Sequence, residues 1–182
     1  MLTWLFRQAV QRMEKRYSYD ATYLHELADA APAAFRRYVR IQLMGGWQGP
    51  LPRAAMHAAR IGGALHEDCG PCVQISTDMA VEAGTDPKSI AALLSGKPAP
   101  AEMKLAFDFA RGLLAADAGF ESLRDQAKAK WGEAGVIALG MNAMTARNFP
   151  VMKRVMGHAK ACQRVHVGSE EVAVASELKA AA

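Results

Sequence analysis

The sequence has little of what marks several large classes of protein. It contains only three cysteines in 182 residues, too few for a small disulfide-stabilised scaffold. Its net charge is only +4 and its basic residues occur in pairs, so no nucleic-acid partner is expected. It has no apolar run of about 18 residues, so no membrane span is expected. The β-branched residues Val, Ile and Thr number only 21, which disfavours a parallel sheet.

Alanine, in contrast, is abundant, with 36 residues. Alanine favours helices and the β-branched residues favour strands, so the composition predicts an all-α fold. The length predicts one domain with a substantial core, which we place at 1–168, followed by a flexible tail at 169–182. The first residues lack the basic region and the apolar run of a signal peptide, so a cytoplasmic location is expected.

The spacing of apolar residues, caps and prolines predicts about eight helices. Residues 2–16 form an amphipathic helix that we expect to pack on the domain or on a partner subunit. Two consecutive helices are predicted at 52–65 and 69–84. Near the C-terminus, Pro150 is expected to break or kink an apolar helix, and a last helix is predicted over 151–167.

The segment that carries chemistry is 66–76, which contains Cys69 and Cys72 in a C-x-x-C arrangement. The pair enters the helix predicted at 69–84, and a helix N-terminus offers unpaired N–H groups and a positive partial charge. Both favour a thiolate over a thiol, and the thiolate is the nucleophile. The intervening Gly70 and Pro71 suit the first turn of a helix. The pattern therefore predicts a reactive dithiol that can close a small disulfide ring.

Two alternatives for the cysteine pair remain open. The first is a pair of buried, unreactive cysteines. The second is a structural metal site, because His158, Cys162 and His166 are spaced i, i+4 and i+8 on the predicted last helix and could complete the ligand set. Cys162 also continues an apolar stripe, which is typical of a small core residue.

The arrangement around the cysteines resembles the AhpD-like superfamily, the alkylhydroperoxidase D and carboxymuconolactone decarboxylase family. The similarity begins with a helix that opens at Leu51 and Pro52. It continues through the C-x-x-C pair and the segment 84–93, which reads Gly-Thr-Asp-Pro-Lys-Ser-Ile-Ala-Ala-Leu. It covers about residues 50–97, with looser agreement in the flanking helices.

This resemblance implies an all-α fold, a homo-oligomer (dimer, trimer or hexamer) and thiol-dependent reduction of a small-molecule hydroperoxide. It implies Cys72 as the inner sulfur and Cys69 as the outer one, with a protein or small-molecule thiol as the reductant that attacks the exposed sulfur. No cofactor and no metal are expected in this reaction.

The sequence departs from the family at both proton-relay positions. The family's Glu, twelve residues before the first cysteine, is His57 here, and its His, four residues after the second cysteine, is Ser76. Either the relay has moved to His57 and Ser76, or it is lost and the enzyme is slow. Glu67 and His66 are also candidates, although adjacent loop residues are expected to be solvated.

A function of another class is also open. The chain could be a non-catalytic oligomeric protein that binds an apolar ligand in a helical cleft. Methionines could line such a cleft, among them Met141, Met144, Met152 and Met156, although methionine at helical spacing is more typical of core filling.

Overall fold

The structure is a computed structural model that describes residues 2–159 and 164–175. These residues confirm the predicted all-α fold, with one small hairpin added. The elements in chain order are α1 (Leu2–Tyr17), α2 (Thr22–Ala30), α3 (Pro32–Tyr38), α4 (Ile41–Gly45), α5 (Arg53–His66), α6 (Gly70–Glu82), α7 (Pro87–Leu94), α8 (Ala101–Ala115), α9 (Phe120–Val155), β1 (Arg164–Val167) and β2 (Glu170–Ala173). None of the described helices is long and apolar enough to cross a membrane.

Helix α5 lies at the centre of the main core, packed against α6, α8 and α9. Small residues let these helices approach closely, because Ala55, Ala58 and Ala59 are fully buried. At Gly63, a Cβ atom would lie only 2.5 Å from the carbonyl oxygen of Ala143 on α9. The abundance of alanine therefore serves the close packing of helices as well as helix formation.

A second, smaller core joins α1, α2 and α3. Val10, Tyr23 and Phe35 are its buried centre, and Ile75 of α6 packs against it. The space between the two cores holds the cavity described below, so α1 has the packing role that its amphipathic pattern predicts.

Helix α9 is interrupted at Gly132 and not at Pro150. The apolar spacing predicts separate helices over 120–130 and 134–149, and Gly132, with a positive φ of 69°, separates two helical halves at that place. Of the break or kink expected at Pro150, the break does not occur, because the helix continues to Val155. Pro150 and Lys153 are both buried, and this tertiary packing offsets the main-chain hydrogen bond that a proline removes.

The predicted last helix over 151–167 is also wrong beyond residue 155. Residues 164–167 form β1, which pairs antiparallel with β2 in the register Val165 opposite Val172. Strand β2 occupies 170–173, part of the segment expected to be a flexible tail. The reason is visible in the sequence, since Val165 and Val167, and then Val172 and Val174, stand two residues apart, so that buried valines alternate with exposed residues.

Candidate functional site

The two cysteines lie at the start of α6 and are joined as the disulfide Cys69–Cys72. Cys69 is the N-cap residue of α6, and its Cα atom lies 5.3 Å from that of Cys72. Gly70 and Pro71 occupy the first helical turn, where proline is favourable. The local structure is thus the helix entry that the sequence predicts, and it places Cys72 within reach of the positive end of the helix dipole.

Both sulfurs are enclosed, and they differ in what they face. Cys69 is 2% exposed and Cys72 is 3% exposed. The exposed sulfur that the resemblance implies for attack by a reductant is therefore not found, because Cys69 is buried as well. Cys72, and not Cys69, lines a cavity between α1 and α6, so a small molecule that enters this cavity meets Cys72.

The cavity has a volume of about 810 Å³ and walls that are mostly aliphatic and aromatic. Helix α1 supplies one wall through Phe6, Val10 and Met13. Met13 and Met79 are the methionines among its lining residues, whereas Met141, Met144, Met152 and Met156 do not line it. A cavity of this size and character is typical of a small-molecule site.

The polar groups nearest Cys72 come from Tyr19 and Ser76. The Tyr19 hydroxyl lies 3.8 Å from Cys72 Sγ. Burial raises the pKa of Tyr19 to about 12, so the phenol keeps its proton at neutral pH and can donate it to a thiolate. Ser76 Oγ donates to the carbonyl oxygen of Cys72 at 2.9 Å and also lines the cavity.

Tyr19 is itself held by a buried cation. The Nζ atom of Lys153 lies 4.5 Å from the centre of the Tyr19 ring and 5.3 Å from that of Tyr23. Lys153 is 1% exposed, so these ring contacts are desolvated, and cation–π attraction is strongest in that setting. The contact fixes the ring whose hydroxyl faces Cys72.

His57 is buried on α5 and carries no charge at neutral pH. Burial, followed by the charges of Arg60 and Arg53, lowers the pKa of His57 to about 4. Its Nδ1 atom has no hydrogen-bond partner among the described residues. In the described part of the chain no hydrogen bond joins His57 to either sulfur, and His57 does not line the cavity. A relay through His57 thus stays a prediction that these contacts do not support.

Glu67 is a buried ion-pair partner, so the expectation that it is solvated is wrong. Its carboxylate accepts hydrogen bonds from Arg147 at 2.5 Å and from Arg154 at 2.8 Å. Burial raises the pKa of Glu67, but the hydrogen bonds and charges of the two guanidinium groups outweigh it and hold the pKa below its usual value. Glu67 therefore attaches the loop before Cys69 to α9. The adjacent His66 is partly buried at the end of α5.

His158 and His166, two of the residues that could complete a metal site, do not share a helix. His158 follows the end of α9 and contacts Glu26 at 2.7 Å. His166 lies on β1, where its main-chain N–H donates to Gln74. Cys162 lies outside the described residues, and within residues 2–159 and 164–175 no group of three His, Cys, Asp or Glu side chains could hold a metal ion.

Arg60 is a cavity residue that the sequence does not single out. It lies one helical turn after His57 on α5, is partly buried, and lines the same cavity as Cys72. Burial lowers the pKa of its guanidinium. Its only signal in the sequence is that it is the one charged residue in the otherwise small and apolar stretch 58–65 of α5.

Comparisons with protein-family models, with curated proteins and with solved structures found no match to this chain. The geometry of Cys72, Tyr19 and the cavity therefore carries the functional argument together with the motif.

Proposed function

We propose that the chain is a dithiol oxidoreductase that reduces organic hydroperoxides with Cys69 and Cys72. The observation that carries the proposal is the position of Cys72, which lies at a helix N-terminus and lines an apolar cavity beside a protonated phenol. The resemblance of the C-x-x-C segment to the AhpD-like superfamily supports the same reaction.

In the first step, the Cys72 thiolate attacks the terminal oxygen of the hydroperoxide. The O–O bond breaks, a sulfur–oxygen bond forms, and the alkoxide that leaves takes a proton to become an alcohol. Sulfur gives up two electrons and becomes a sulfenic acid. The N-terminus of α6 and the Tyr19 hydroxyl favour the thiolate needed for this attack.

In the second step, the Cys69 thiol attacks the Cys72 sulfenic acid, and water leaves as the disulfide forms. A dithiol reductant then attacks the disulfide, is itself oxidised, and restores the two thiols. Because both sulfurs are enclosed in this conformation, a small-molecule thiol that enters the cavity is a better-suited reductant than a protein.

Stopped-flow kinetics with cumene hydroperoxide and dithiothreitol tests the proposal. With dithiothreitol, the wild type should turn over repeatedly and Cys72→Ser should be inactive. Cys69→Ser, first reduced and then freed of dithiothreitol, should consume about one equivalent of peroxide. Cys162→Ser is the matched control and should retain turnover. Wild-type consumption no faster than that of Cys72→Ser would refute the proposal.

The cavity also favours a second candidate, a binding protein for an apolar ligand. The two functions differ in their dependence on the redox state of the cysteines. In a peroxidase, the pair Cys69 and Cys72 has two free thiols when reduced and no free thiol after it has reacted with peroxide. In a simple binding protein, the number of free thiols does not follow such a cycle. Thiol titration with Ellman's reagent before and after peroxide addition separates them.

A further inference from the structure

Arg60 is the partly buried cation of the cavity wall, and the proposed reaction does not explain its role. Among the described residues, no carboxylate pairs with its guanidinium and no side-chain hydrogen bond involves it. Other arginines near the site are paired, since Arg16 bonds Glu82 and both Arg147 and Arg154 bond Glu67. A guanidinium in a partly buried site is costly without a partner, so an anion that enters the cavity would be stabilised there.

The rest of the cavity wall suits an apolar chain. Phe6, Val10 and Met13 of α1 face Ile75 and Met79 of α6 across it. The exposed cations Arg12 and Lys15 also line it, and no acidic side chain does. The walls therefore combine a long apolar surface with positive charge, which matches a molecule that has an apolar body and a negative end.

We propose that the cavity binds an amphipathic oxyanion, with its carboxylate or phosphate on Arg60 and its apolar chain along the inner face of α1. This deepens the proposed function and rests on it for one point only, namely that the physiological ligand is the hydroperoxide of such an acid. Binding of the unoxidised acid depends on the cavity and Arg60 alone.

Isothermal titration calorimetry with three ten-carbon probes tests the inference. Decanoate, decyl phosphate and decanol share the apolar chain and differ in the headgroup. At least one anion should bind the wild type about tenfold more tightly than decanol or better, as expected for a charge-assisted pair with arginine. Comparison of decanoate with decyl phosphate identifies which anion the site prefers.

The variant Arg60→Gln should reduce this preference to about twofold or less while decanol binding stays unchanged. The matched control is Arg53→Gln, which removes the same charge from an exposed position at the start of α5 and outside the cavity lining. It should keep the wild-type preference. Equal binding of all three probes, or an equal loss in both variants, would overturn the inference.

A peroxidase assay with tert-butyl hydroperoxide, which has no anionic group, separates this inference from the proposed function. If tert-butyl hydroperoxide is reduced but decanoate and decyl phosphate bind no better than decanol, the anion site is refuted and the peroxidase stands. If no hydroperoxide is reduced but either anion binds through Arg60, the peroxidase is refuted and the anion site stands.

Discussion

Tyr19 supplies the hydroxyl group that faces the Cys72 sulfur. Its hydroxyl lies 3.8 Å from Sγ and keeps its proton at neutral pH. We predict that Tyr19→Phe raises the pKa of the Cys72 thiol by about one unit, because a donor to the thiolate is lost. Alkylation of the reduced protein by iodoacetamide should slow about three- to tenfold at pH 7.

The control for this experiment is Tyr38→Phe. The Tyr38 hydroxyl donates to the main-chain oxygen of Asn148, away from the cysteines, so its removal should leave the alkylation profile unchanged. Equal profiles for the wild type and Tyr19→Phe would show that the hydroxyl does not stabilise the thiolate.

Because His57 is buried and neutral, we expect it to make the free energy of unfolding depend on pH. We do not expect it to affect the reactivity of the Cys72 thiol. Its pKa is about 4 in the folded protein against an ordinary value of 6.5. The unfolded chain therefore binds the proton more readily, and the stability contributed by neutral His57 is present above pH 6.5 and lost as pH falls towards 4. The shift corresponds to about 3 kcal/mol.

Urea unfolding at pH 7 and pH 4 measures this contribution. Between pH 7 and pH 4, the free energy of unfolding of His57→Gln should fall by about 2–3 kcal/mol less than that of the wild type. If the two proteins lose the same stability, His57 is not the buried neutral imidazole described above. Between pH 5 and pH 9 the same variant should leave the Cys72 alkylation profile unchanged.

The cysteine pair and its place at a helix start can be predicted from sequence, whereas most of its surroundings cannot. The start of a helix is a local feature, and Gly70 and Pro71 are enough to predict it within the four residues 69–72. Tyr19 and Arg60 reach the cavity from α1–α2 and from α5, through tertiary packing that no local pattern encodes. The sequence does not predict the burial of Glu67 for the same reason, since its partners Arg147 and Arg154 lie 80 or more residues away in the chain.

At the scale of elements, the approach of α5 to α9 depends on Gly63. A Cβ at this position would clash with the main chain of Ala143, which cannot move as a flexible side chain could. We predict that Gly63→Ala lowers the free energy of unfolding by about 2 kcal/mol or more, because the two helices must separate. Chemical denaturation measures the change directly.

Gly140 on α9 is the matched control for Gly63. It also lies within a helix, but nothing lies within 4 Å of a Cβ built on it. Gly140→Ala should therefore stabilise the protein by about 0.5–1 kcal/mol, as alanine does in an unobstructed helix. Equal effects at the two positions would contradict the role given to close packing.

The elements that the sequence predicts best are those with local caps. The sequence Thr85-Asp86-Pro87 predicts a helix start, because Asp is a favourable N-cap and Pro suits the first turn. In the structure α7 begins there, and Asp86 accepts from the main-chain N–H groups of Lys88 and Ser89. The continuation of α9 through Pro150 depends instead on burial of that turn. The sequence reasoning does not predict the hairpin, although the two-residue spacing of its buried valines is the pattern of a strand.

At the scale of the whole molecule, we expect a homo-oligomer. Several large apolar side chains remain at the surface of this single chain, among them Trp4, Leu43 and Val155, which are 60%, 80% and 72% exposed. Light scattering coupled to size-exclusion chromatography should give a mass of two, three or six chains. A mass of one chain at every concentration tested would contradict the expectation.

We propose that Cys72, and not Cys69, is the sulfur that meets the peroxide. Trapping of sulfenic acid with dimedone, followed by mass spectrometry, tests it most directly. In Cys69→Ser, one equivalent of cumene hydroperoxide should place the dimedone adduct on Cys72, and in Cys72→Ser no adduct should form on Cys69. An adduct on Cys69 alone, or none on Cys72, would contradict the claim.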